Sequence, residues 1–142
     1  MTKTSHEARG IHLIAELDDC ATMPNAAAMK RILLAAAEAG RATVLETVLH
    51  AFGNGGIAGV AVLAESHISV HTWPEYRYAA VDVFMCGTGA RPEAALAVVR
   101  DAFAPAAIRT RSMVRERVAQ SGVTSPAGLP AGHRTRARAA AR

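Results

Sequence analysis

Residues 59–86 read GVAVLAESHISVHTWPEYRYAAVDVFMC. Three short apolar runs lie within them, 59–64, 68–73 and 79–86, rich in valine and isoleucine and separated by a few polar residues or by Pro74. Runs of this length with β-branched side chains are strands, and links this short return each strand beside the one before it. The stretch therefore predicts an antiparallel meander.

Upstream, residues 43–52 form a further β-branched and apolar run, broken by the glycine turn at 53–56 (GNGG). Residues 11–17 (IHLIAEL) alternate like a half-buried strand. Between these two runs, Thr22 and Asn25 are candidate N-caps for a helix that reaches Ala39, with Met29, Leu33 and Ala36 on one stripe and Gly40 as its stop. Downstream, Pro92 suits the first turn of a second helix, in which Leu96, Val99 and Phe103 share a face and which Pro105 ends. Residues 108–118 then alternate Arg109, Arg111, Arg115 and Arg117 with less polar residues, as an exposed strand does. Strands in runs, interrupted by two helices, predict an α+β fold: a two-layer sandwich with a largely antiparallel sheet covered by two helices.

The chain has 142 residues, of which 51% are hydrophobic and 20% charged, enough for one core and too apolar for general disorder. The net charge of +4 is a local property. Residues 1–121 carry twelve basic and twelve acidic residues, and the excess comes from Arg134, Arg136, Arg138 and Arg142. The expected organisation is a flexible N-terminus over 1–10, one domain over 11–118 and a basic, disordered tail over 119–142. No nucleic-acid partner is expected from so short a basic segment. Apolar runs are too short to span a bilayer and the N-terminus lacks an apolar signal core, so a soluble, cytoplasmic chain with no membrane association is expected. Cys20 and Cys86 are too few for a disulfide framework.

Two motifs lose to plainer readings. Gly53, Gly55 and Ala58 fit a dinucleotide fingerprint by spacing, but Val60, Val62 and Leu63 follow as a strand where that motif needs a helix. His67 and His71 are four apart, which on an extended strand is about 13 Å, too far for one metal ion, so no metal site is expected. Residues 65–87 remain: they hold the only tryptophan, both tyrosines and two of the six histidines. By composition alone they are either core aromatics beside a solvated bend or a functional site.

The wording of that segment, ESH-I-S-V-HTWPEY followed by AAVD and F-M-CG, closely resembles the processing region of the bacterial and archaeal S-adenosylmethionine decarboxylases. The likeness extends more weakly over residues 10–118. It implies that Ser66 attacks the carbonyl of Glu65, that the chain cleaves between these two residues, and that Ser66 becomes a pyruvoyl cofactor. By the same resemblance His71 is the base for the elimination and Cys86 the proton donor in turnover. The pyruvoyl would form a Schiff base with S-adenosylmethionine and release carbon dioxide, yielding the aminopropyl donor for spermidine. Phe52 and Trp73 match an aromatic sandwich for adenine, and Glu75 matches a carboxylate for the ribose hydroxyls. Small chains of this family act as dimers with sites near the subunit interface, so a homodimer of processed units is implied.

Two positions depart from the family pattern. Ala58 stands where the family usually has a serine whose hydroxyl assists processing, and Arg77 where it commonly has glycine. Without that hydroxyl, self-cleavage is slow, or uses Asn54 or water, or does not occur. The competing readings are a pyruvoyl-dependent arginine or ornithine decarboxylase of the same fold, and a non-cleaving regulatory paralogue.

Overall fold

The computed structural model describes residues 9–117, so the expectations for residues 1–8 and for the basic tail lie outside the described residues. Six strands and two helices follow in the order β1 (Arg9–Cys20), α1 (Ala26–Ala39), β2 (Val44–Ala51), β3 (Ile57–Leu63), β4 (Ser66–Trp73), β5 (Tyr78–Cys86), α2 (Pro92–Phe103) and β6 (Pro105–Glu116). The sheet order is β2-β3-β4-β5-β1-β6, and every neighbouring pair is antiparallel. The expected α+β two-layer sandwich is the observed one. Arg9 and Gly10, expected to fray, are the first residues of β1, where they pair with β6.

The meander accounts for β2 to β5, and the helices account for the rest. β1 and β2 run in the same direction, as do β5 and β6, so each pair needs a crossover, which α1 and α2 supply. β1 thereby enters between β5 and β6. Both helices lie on one sheet face: α1 over β2 and β3, α2 over β1 and β5. Their stripes meet the alternate residues of the strands, so that Met29, Leu33, Val99 and Phe103 are buried against Leu17, Leu63, Ile68 and Val81.

Local signals set the ends of α1. Asn25 caps α1, its Oδ1 accepting from the Ala28 N–H at 2.9 Å. Gly40 does end that helix, though its own φ is −73°, and the left-handed residue is Arg41 at φ 58°. A Cβ on Gly40 would lie 2.5 Å from Met85 Cε, so a larger residue there would require the Met85 side chain to move. Strand β4 starts at Ser66, two residues before the apolar run expected from residue 68.

Leu33 is fully buried between α1 and β3. Leu33→Ala should lower unfolding stability by about 2–5 kcal/mol. Denaturant titration should show a lower midpoint with an unchanged slope.

Candidate active site

β3 and β4 form the tightest connection of the meander. Leu63 pairs with Ser66, which leaves Ala64 and Glu65 as a two-residue loop. Glu65 turns the chain in the left-handed region at φ 61°, a conformation that costs a residue with a Cβ about 1–2 kcal/mol. The turn is anchored from outside, because the Ala64 N–H donates to the Thr43 carbonyl at 2.9 Å. Immediately after it, Ser66 Oγ accepts from the Cys86 N–H at 3.1 Å, joining two residues twenty apart in sequence. That bond occupies one lone pair of the hydroxyl and leaves its proton free to be transferred.

Cys86 has room because Gly10 stands opposite it in the register of β1 and β5. A Cβ at Gly10 would come within 2.8 Å of Cys86 Sγ. Ser66 and Cys86 both line a cavity of ≈ 290 Å³ together with Arg41, Thr43 and Gly89, and among the described residues Arg41 carries the only charge in its lining. None of Gly10, Arg41 and Thr43 stood out in the sequence. Only pairing across the sheet and the link from α1 to β2 bring them here.

A second cavity, ≈ 360 Å³, lies at the opposite end of β4, walled by Phe52, Asn54, His71 and Trp73. Phe52 and Trp73 are 50% and 38% exposed, two large aromatic faces left to water beside one opening. The glycine turn shapes this end. The Phe52 N–H donates to the Gly56 carbonyl at 2.8 Å, and a Cβ on Gly56 would strike the Thr72 carbonyl at 2.9 Å. Asn54 is committed to the turn, its Oδ1 accepting from the Gly56 N–H at 2.9 Å. Glu75 follows Trp73 in a single 3-10 turn, Pro74–Tyr76, with its side chain exposed. Arg77 closes that turn at φ 48°, which explains why glycine suits the position; its guanidinium bonds the exposed Asp19 carboxylate at 2.9 Å.

Trp73 has a support that sequence reasoning did not assign. Tyr78 pairs with it across β4 and β5, the two rings 5.2 Å apart. The Tyr78 hydroxyl donates to the Glu16 carboxylate on β1. Burial, and then the hydrogen bond and charge of Glu16, push the Tyr78 phenol up to about 12.

The expected site residues therefore fall into two groups. Ser66 and Cys86 are together at one end. Ala58 pairs with His71 at the other end, near Phe52 and Trp73. Along the extended β4, His71 is about 16 Å from Ser66 and Trp73 about 23 Å. Between the groups lies the sheet face that the helices leave open, where His12 Nε2 and Asp82 Oδ1 are 2.8 Å apart and His67 stands edge-on to His12. Burial, and then the neighbouring His12, hold the His67 imidazole below its ordinary value.

Comparison with known proteins converges on one family. The family model for S-adenosylmethionine decarboxylase matches residues 11–116. An S-adenosylmethionine decarboxylase proenzyme of Parasynechococcus marenigrum is 45% identical over 125 residues, covering 85% of this chain and 98% of that protein. One from Methanococcus aeolicus is 48% identical over 99 residues, 68% of this chain and 85% of that protein. The crystal structure of the adenosylmethionine decarboxylase from Aquifex aeolicus superposes with a TM-score of 0.70 at 28% identity, covering 81% of this chain and 97% of that one.

The Glu16–Tyr78 pair has a pH signature. Because the folded-state value of Tyr78 is raised, the stability it contributes is complete below about pH 10 and is lost as pH rises through about 12. Ultraviolet titration of the folded protein should show a phenol that ionises only near pH 12. Glu16→Gln should bring that step to lower pH and flatten the alkaline loss of stability; an unmoved step would remove Glu16 from the support of Trp73.

Proposed function

The chain belongs to the S-adenosylmethionine decarboxylase family, and we propose that it decarboxylates S-adenosylmethionine with a pyruvoyl group made from its own Ser66 after cleavage at Glu65. The observation that carries this reading is the Ser66–Cys86 hydrogen bond beside a left-handed Glu65. The residues fit the group. Its source is a serine at the start of a strand, held by the backbone N–H of Cys86 and lining the same cavity as that cysteine. Once formed, the pyruvoyl supplies a ketone for the substrate amine and a conjugated carbonyl that accepts the electrons released with carbon dioxide.

The chain's own residues do the remaining work. Ser66 Oγ is one residue from the Glu65 carbonyl carbon, so attack closes a five-membered ring and needs no diffusion. The peptide bond becomes an ester, and release of the left-handed turn favours the step. Elimination then needs a base at the Cα proton of residue 66, and His71 is too far away within one copy. A second copy resolves this. Two open sheet faces pack about 10 Å apart. If a two-fold axis lies between them, perpendicular to the strands, the Ser66 end of one copy sits over the His71 and Trp73 end of the other. We therefore assign Ser66 and Cys86 to one subunit of a homodimer, and His71, Phe52, Trp73 and Glu75 of the same site to its partner.

In turnover, Phe52 and Trp73 stack on the adenine and Glu75 accepts from the ribose hydroxyls. The Cys86 thiol gives a proton to the substrate carbon after carbon dioxide departs. The product is the aminopropyl donor for spermidine. No helix of the described residues is long and apolar enough to cross a membrane, and we take the cytoplasm as the place of action.

Denaturing mass spectrometry should find two chains from the unsubstituted protein and one intact chain from Ser66→Ala, which should release no carbon dioxide from labelled substrate. An intact unsubstituted chain would favour the regulatory reading. The shared site has a separate test in co-expression of differently tagged Ser66→Ala and His71→Ala chains. Each alone should stay whole, whereas in the mixture the His71→Ala chain should cleave. If neither cleaves, the partner is not the source of the base. Phe52→Ala or Trp73→Ala should weaken use of S-adenosylmethionine roughly ten- to a hundredfold, about 1–3 kcal/mol. Efficient turnover of arginine, indifferent to these substitutions, would move the substrate assignment.

A further inference from the structure

The lining of the cavity at Ser66 includes an exposed arginine, Arg41, that the reaction as described does not use. We propose that Arg41 receives the negative charge that self-cleavage places on Glu65, first on its carbonyl oxygen and then on its departing carboxylate. This rests on the self-cleavage reading and adds a residue to it.

The position is built from both sides. Arg41 lines the cavity shared by Ala64 and Ser66, and the segment that carries it is tied to the scissile turn by the bond from the Ala64 N–H to the Thr43 carbonyl, 2.9 Å. Its backbone is held by the Arg41 N–H donating to the Glu38 carbonyl at 3.0 Å and by the Arg91 N–H donating to the Gly40 carbonyl at 3.0 Å. The side chain forms no ion pair with any described residue. Arg41, an exposed residue of the cavity lining, therefore has guanidinium donors that no described ion pair claims, beside the turn where the proposed cleavage develops negative charge.

That charge arises twice. In the first step, Ser66 Oγ bonds to the Glu65 carbonyl carbon, the carbonyl oxygen becomes anionic, and the carbon–nitrogen bond then breaks as the hydroxyl proton passes to the new amine. In the second, a base takes the Cα proton of residue 66, the Cβ–Oγ bond breaks, and Glu65 leaves as a carboxylate with the electron pair. Water then hydrolyses the resulting imine, releases ammonia and leaves the ketone. A cation near the leaving carboxylate favours the second step as well as the first. It also offers an explanation of how a chain with Ala58 in place of the family serine stabilises the attack.

The substrate carboxylate is a poorer partner for Arg41. Decarboxylation removes that charge, so a cation against it would hold the reactant more tightly than the transition state. After cleavage, the new Glu65 carboxylate occupies Arg41 and neutralises it.

Arg41→Gly is the informative variant, because glycine adopts the left-handed backbone at φ 58° without strain. Freshly made full-length chains should be followed by denaturing mass spectrometry, with and without a hydroxylamine quench that splits the ester. Arg41→Gly should cleave roughly a hundredfold more slowly and accumulate hydroxylamine-sensitive ester, with Arg41→Lys in between. Millimolar methylguanidinium should restore the rate of Arg41→Gly and leave the unsubstituted chain unchanged. Cleavage of Arg41→Gly at the unsubstituted rate overturns the proposal. Slow cleavage that methylguanidinium does not relieve also overturns it, by showing a structural role alone. An unsubstituted chain that never cleaves is a different failure: it removes self-cleavage itself, and the role of Arg41 with it.

Discussion

Strand β4 is paired on both sides, to β3 from Ser66 to His71 and to β5 from His67 to Trp73. An extended strand held this way cannot shorten, so its length fixes the distance between the groups at its ends. Ser66 with Cys86, and Trp73 with Phe52 and His71, are each placed accurately and are kept apart by the same pairing. In the proposed dimer a second copy of the same face brings the two ends together, and that dimer follows from strand geometry before it is a matter of affinity.

The sheet is asymmetric in a way that suits this. Both helices cover one face, and the other presents the half-exposed Val48 and Val62 toward β2 and the His12–Asp82 pair toward the centre. The exposed edge strand β6 is lined with arginines, of which Arg109 pairs with Asp18 and Arg115 lies 4.9 Å from the centre of the Phe84 ring. Charge along an edge discourages another strand from adding there. The open face is the one proposed to associate, and the charged edge is guarded against strand addition.

Backbone strain is distributed with the same economy. Among the described residues, the non-glycine residues in the left-handed region are Asp19, Arg41, Glu65, Arg77 and Ala104, each at the end of an element or in a tight link. Two of them, Arg41 and Glu65, flank the Ser66 cavity. Short links keep the sheet in register and concentrate strain where a bond is proposed to break.

Much of this was legible in the sequence because local patterns have local causes. Alternation in residues 11–17, the Asn25 cap and the GNGG turn report which way side chains face and where the chain reverses, and these depend on near neighbours. The segment from Glu65 to Cys86 likewise carried the family resemblance, because its chemistry needs those side chain types in that order. Tertiary structure alone decided which strands are neighbours. The insertion of β1 between β5 and β6 brings Gly10 against Cys86, and the return of the chain after α1 brings Arg41 to Ser66. A repeat of apolar residues records a buried face but not what covers it, so partners far apart in sequence are fixed only by packing. The same limit hid the separation of the two groups: His71 is five residues from Ser66 in the chain, and on an extended strand that nearness is distance.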